Sequence, residues 1–255
     1  MKFSQHLHRV LPILALAAIL MVGASTSSQA QMFVQTVKTG NMTTVKTLLQ
    51  SRHTNINERD EQGLTGLMVA TIANDTNMMQ LLIESGANIN LQSKTGMTAL
   101  HAAAFNIYEG ALLLLLRNKA KPNIQDNQGR TPLHVSAEKG VTNPVTYLLS
   151  VGASSEIRDV KGNTPLMVAC GHRHLNIVTE LLEQGADANA RDLLGRTPIM
   201  LVSVYGEYEM IRTLLKYKGD ATLVDYGMRS ALSYAKEYNR KTTIKVLMNE
   251  GGAKY

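Results

Sequence analysis

The chain has 255 residues, 44% hydrophobic, 18% charged and 5% aromatic, with 26 Lys and Arg against 20 Asp and Glu. That is the balance of a globular chain able to bury a large core, and its positive charge is scattered, unlike the clustered basic face of a nucleic-acid binder. The single cysteine, Cys170, excludes an intramolecular disulfide, so the fold must hold without one.

The first thirty residues stand apart. Lys2 and Arg9 precede an uncharged apolar run from Val10 to Val22, and Ser28-Gln29-Ala30 ends the segment before Gln31. A basic start, an apolar run within the roughly 7–15 residues expected and a small-x-small site predict a secretory signal peptide cleaved after Ala30. The run is shorter than the about 20 apolar residues of a membrane span, and no Cys lies nearby for lipid attachment. Cleavage removes two cations and no acid, so the exported chain is only mildly positive. It is expected in the periplasm or secreted, away from the membrane.

Beyond the leader the chain repeats itself. TGLMVA begins at Thr65, TALHAA at Thr98, TPLHVS at Thr131, TPLMVA at Thr164, TPIMLV at Thr197 and SALSYA at Ser230, each 33 residues after the last. A glycine two residues before each Thr (Gly63, Gly96, Gly129, Gly162, Gly195) predicts a tight turn. The Thr suits a helix N-cap, and Pro132, Pro165 and Pro198 occupy the first helical position, where a missing N–H costs nothing. A short helix follows, closed by Asn74, Gly140, Gly206 or Asn239 in several units. A second helix carries Leu81-Leu82, Leu148-Leu149, Leu181-Leu182 and Leu214-Leu215, and ends in Gly-Ala at Gly86, Gly152 and Gly185. Asp126, Asp159, Asp192 and Asp225 recur where each turn starts, placed to bond backbone N–H groups.

A 33-residue period with T-P-L-H-x-A and a helix–turn–helix layout resembles the ankyrin-repeat family along the whole segment 31–255. The resemblance implies an all-α solenoid with β-turn fingers: a cap repeat 31–64, full repeats 65–97, 98–130, 131–163, 164–196 and 197–229, and a cap 230–255. In the first cap, Val34, Val37, Val45, Leu48, Leu49, Ile56 and Asn57 fall at family positions without the Thr. In the last, Lys236, Glu237, Arg240 and Lys241 would cover an end that no further repeat buries.

No G-x-S-x-G elbow, phosphate-binding loop or H-E-x-x-H pair is present. His101 and His134 share their slot with Met68, Met167 and Met200, so the slot asks for bulk and a turn hydrogen bond rather than proton chemistry. His172-Arg173-His174 reads as a solvated turn. Cys170 sits where other units place Ala104, Ala137 or Ser203, and reads as buried. Most of the thirteen methionines read as core fillers. The sequence therefore predicts no catalytic residue, no cofactor and no metal. Sequons at Asn41 and Asn74 matter only in a glycosylating source.

Members of the family generally bind proteins through the concave face made by fingers and inner helices. Carried over, that face comprises Phe105, Arg130, Lys139, Val160, His172, Leu193, Leu194, Arg196, Tyr205, Tyr226, Arg229 and Tyr238. Its apolar and tyrosine content rises toward repeats four to seven, and Tyr and Arg around an apolar centre is the make-up of an interface hot spot. Met228 in the sixth glycine slot leaves the shape of that finger, and the placing of Tyr226, open. The expectation is a non-enzymatic, exported protein, monomeric when unbound, that holds one protein partner in an inhibitory, immunity or accessory role. The alternatives are a secreted effector or multi-partner scaffold and, last, an enzyme or metal carrier built around Cys170, His172 and His174.

Overall fold

A computed structural model describes residues 26–252. The expected leader as far as residue 25 and the terminal residues 253–255 lie outside the described residues. Within them the chain forms seven helix pairs: α1 (Thr26–Lys38) with α2 (Met42–Leu49), α3 (Gly66–Ile72) with α4 (Thr76–Glu84), and α5 (Ala99–Phe105) with α6 (Glu109–Arg117). Then come α7 (Pro132–Lys139) with α8 (Thr142–Ser150), α9 (Pro165–His172) with α10 (Leu175–Glu183), α11 (Pro198–Tyr205) with α12 (Tyr208–Lys216), and α13 (Ala231–Glu237) with α14 (Lys241–Asn249). The first helix of each pair packs between the first helices of its neighbours, and the second helices, from α4 onward, form a parallel outer layer. α1 starts upstream of Ala30, yet its core residues Phe33, Val34 and Val37 all follow that point, so cleavage there would leave the packing intact.

Local chemistry sets each helix start. Thr65, Thr98, Thr131 and Thr164 adopt extended backbone and accept a hydrogen bond from the N–H three residues on, satisfying one of the donors that a helix leaves unpaired. Thr197 departs from this: its hydroxyl is buried without a partner, and its N–H donates instead to Met200 Sδ at 3.4 Å. The core between the layers is aliphatic. Leu112, Leu148, Leu166 and Leu181 are fully buried, and each such side chain stabilises the fold by about 1.5–3 kcal/mol.

Between repeats the chain projects the fingers, where antiparallel pairing is limited to isolated bridges such as Arg59–Thr65 and Val224–Ser230 among the described residues. The recurring Asp holds each turn shut. Oδ1 of Asp126 accepts from the N–H groups of Gln128 and Arg130, both at 2.9 Å. Asp60, Asp159, Asp192 and Asp225 do the same two and four residues on. Consecutive fingers are joined by one backbone bond each: Lys94 N–H to the Gln62 carbonyl, Asn127 to Thr95, Val160 to Gln128, Leu193 to Lys161 and Tyr226 to Leu194, all between 2.9 and 3.1 Å.

That close approach is why the turn needs glycine. A Cβ on Gly129 would lie 2.9 Å from Val160 N, and one on Gly162 2.7 Å from Leu193 N. The sixth finger resolves the question its sequence raised. Met228 takes the same left-handed backbone, φ 60°, and its N–H still donates to the Asp225 carbonyl at 3.0 Å. The finger keeps its shape because, among the described residues, no further finger presses on the Cβ.

Gly129→Met is therefore expected to lower unfolding free energy in urea by about 2 kcal/mol or more, through backbone strain and the clash with finger four. Met228→Gly should change it by less than about 1 kcal/mol, since relief of strain is offset by the greater freedom of the unfolded chain.

Candidate functional site

The fingers place one side chain per repeat in register along the stack: Glu61, Lys94, Asn127, Val160, Leu193 and Tyr226. The column changes from charged and polar to apolar at its midpoint. Val160, Leu193 and Tyr226 are exposed by 59%, 67% and 73%, with Leu194 (57%) and Met228 (78%) beside them. Their backbones are fixed by the inter-finger ladder, so the apolar strip is displayed rigidly. Tyr226 is also positioned: its ring lies across Gly195, where an added Cβ would come within 2.8 Å of it.

The three arginines predicted for the face are held by their own turns. Arg130 pairs with Asp126 at 2.9 Å and reaches Glu138 at 3.3 Å. Arg196 pairs with Asp192 at 2.7 Å, and Arg229 with Asp225 at 3.1 Å. The Asp oxygens they grip are almost fully buried, so these arginines brace the turns and flank the strip with nearly neutral pairs. The sequence signal (Asp and Arg four apart) was visible, but it speaks of the turn before it speaks of a partner.

A second group lies at the far ends of the inner helices, roughly 12 Å from the fingers for an eight-residue helix. Lys139 Nζ sits 3.7 Å above the Phe105 ring of the preceding repeat, and Arg173 lies 5.9 Å from the Tyr205 ring. Tyr238 and His172 are exposed. The structure thus brings the predicted residues together as two groups, one on the fingers and one on the helix ends. His174 departs from the solvated-turn reading: its Nε2 donates to the Glu138 carbonyl at 3.0 Å, its ring packs on Gly140, and His172 stacks on it with centroids 6.1 Å apart.

Sequence reasoning missed the side chains that knit repeats together. Asn57, Asn90, Asn123 and Asn189 each accept a bond, at 2.7–2.9 Å, from the N–H 31 residues later, and Glu156 fills the same place. Gln92, Gln125 and Arg191 each reach a carbonyl 33 residues on. The near-constant Asn at 33-residue intervals was the available sign. Met228, an exposed apolar residue, was also absent from the predicted face.

For chemistry the site offers little. Cys170 is fully buried, and burial pushes its thiol far above the usual range, which removes it as a nucleophile. Among the described residues no three His, Cys, Asp or Glu side chains are grouped to hold a metal ion, and no helix is long and apolar enough to cross a membrane.

The family model for ankyrin repeats (3 copies) matches residues 33–126, 107–192 and 185–255. The chain belongs to the ankyrin-repeat family. No curated protein matches it. Ankyrin repeats generally mediate protein–protein interaction and are typically non-enzymatic, in keeping with a surface that displays apolar side chains on a braced frame.

The last ankyrin repeat carries an added brace. Tyr234, where other repeats have Val, Ala or Leu, donates its hydroxyl to Asp225 Oδ2 at 2.6 Å, and the Arg229 guanidinium covers its ring at 4.5 Å. Burial and the carboxylate push the Tyr234 phenol up to about 12. Burial opposes ionisation of Asp225, yet the Tyr234 hydroxyl and the turn N–H groups hold its carboxyl below the usual range. Tyr234→Phe is expected to cost about 1–3 kcal/mol in a urea titration, the range for losing a buried bond to a charged group, with the far-UV helical signal unchanged.

Proposed function

We propose that this ankyrin stack is an exported binding protein that holds a single protein partner against fingers four to six and the adjoining inner-helix ends. One observation carries the reading. Val160, Leu193, Leu194, Tyr226 and Met228 form an apolar strip across three fingers whose backbones are locked to one another, while fingers one to three are polar at the same column. Exposed apolar residues at turn tips are costly for an unbound protein unless a partner covers them. An ordered frame reduces what binding must spend on immobilising them. Braced Arg196 and Arg229 rim the strip, and Tyr226 and Tyr238 supply the amphipathic contact area typical of interface anchors. An inhibitory, immunity or accessory role fits a non-catalytic surface of this kind.

Export rests on the leader: the basic start, apolar run and Ser28-Gln29-Ala30. Expressed in a bacterium with its full sequence, the protein should be recovered from the periplasm or medium with Gln31 as its first residue by N-terminal sequencing. Recovery from the cytoplasm with Met1 intact would overturn export.

Binding has its own measurement. The wild-type chain used as bait in an extract of its source should capture one dominant partner in stoichiometric amount. Leu193→Asp with Leu194→Asp should reduce that capture at least tenfold while leaving the thermal midpoint within a few degrees, because neither side chain is buried. Undiminished capture by the double variant would remove the finger strip as the interface.

A further inference from the structure

We propose that fingers three and four are latched by His101 and His134, and that mild acid opens those two latches while leaving fingers two, five and six closed. His101 Nε2 lies 2.9 Å from the Arg130 carbonyl oxygen at the end of finger three, and His134 Nε2 lies 3.1 Å from that of Asn163 at the end of finger four. A carbonyl only accepts, so Nε2 carries the hydrogen in both rings. Nδ1 must then be the acceptor for the N–H of Thr98 at 3.2 Å and of Thr131 at 3.1 Å, and it also faces each Thr hydroxyl at 2.9 Å. The neutral Nε2–H form satisfies every partner. A second proton, on Nδ1, would point a donor at the Thr N–H and leave that buried group without an acceptor.

Both rings are at most 1% exposed, so water cannot relieve the mismatch. The charged groups near His101 are Asp126 and Arg130; near His134 they are Asp159, Asp126 and Arg130. Asp126 is already engaged by Arg130 and two turn N–H groups, and Asp159 by two turn N–H groups and the Asn163 amide. The neighbouring helix α3 carries no ionisable side chain. Helix α7 adds Glu138, bound to Arg130, and Lys139, over Phe105. Helix α9 adds buried Cys170 and exposed His172, with His174 just beyond it bonded to the Glu138 carbonyl, while α6 contributes Glu109 and Arg117 with Tyr108 before its first turn, and α8 contributes Tyr147. Desolvation therefore outweighs the nearby carboxylates and holds both imidazoles below the ordinary histidine range.

The sign follows. With the folded value lowered, the latches contribute fully above the unfolded histidine value of about 6.5, and their contribution is lost as pH falls below it toward the folded value. Elsewhere the slot holds Met68, Met167, Met200 or Ser233, none of which titrates. Acid sensitivity through this slot is therefore confined to the middle of the stack, next to the first apolar finger. An exported chain would meet the pH of its surroundings there, so the latches regulate the binding face proposed above; their chemistry can be tested without any partner.

Hydrogen exchange of the purified chain at pH 7.5 and pH 5.0, corrected for intrinsic rates, reads each finger separately. Amides of 126–130 and 159–163 should lose protection at least fivefold more than those of 192–196 and 225–229. The variant His101→Met with His134→Met, which adopts the residue native to three other repeats, should show lower protection at pH 7.5 and no such selective loss at pH 5.0. Uniform loss over all fingers, no loss, or selective loss that persists in the variant would each overturn the latch. None of these results depends on partner capture, so the latch and the binding face fail separately.

Discussion

Helices of seven to nine residues do not stand alone in water, because the cost of nucleating so short a helix exceeds what its own hydrogen bonds return. Everything in this protein answers to that constraint. Each inner helix pair is held by the pairs on either side of it, which is why Leu112 or Leu181 is fully buried although its own repeat could never enclose it. Polar contacts obey the same neighbour rule. The Asn column, the finger ladder and the long Gln and Arg side chains all tie one repeat to the next. Stability of such an array is a sum over junctions rather than the property of a single core.

Much of this was legible in the sequence, for a physical reason. A repeated fold must solve the same local problems at the same positions, so Thr caps, Pro starts, turn glycines and finger aspartates recur every 33 residues. With the exception of Thr197, the structure gives them the role their chemistry suggested: Thr131 caps α7, Asp126 closes its turn and Cys170 packs out of reach of solvent. The bonds that cross from one repeat to another were not legible. They join residues 29 to 38 positions apart, and nothing local distinguishes Asn123 bridging to the next repeat from an Asn bonding within its own turn. Arg130, Arg196 and Arg229 illustrate the same limit, since a residue type prized at interfaces serves first to neutralise the carboxylate four positions earlier.

On the candidate face, order and composition act together. The backbone bonds that join the fingers hold Leu193 and Tyr226 in fixed relation, so the surface is already arranged. The residues that brace it are nearly neutral in pairs, so what the face displays is shape and apolar area rather than net charge. The inner-helix group is arranged the same way, with Lys139 lying over Phe105 from the adjacent repeat. Both groups are products of neighbouring repeats and would be lost if the stack came apart.

The methionine at position 228 has a consequence for how this architecture can grow. Internal duplication of a 33-residue unit would splice cleanly among the middle repeats, where glycine always leaves space for one more loop to settle alongside. Appended after the final turn, a copy would meet a side chain in the gap its own backbone needs. A loop settling against that turn would have to displace the residue 228 side chain first, which no loop stacked on Gly129 or Gly162 has to do.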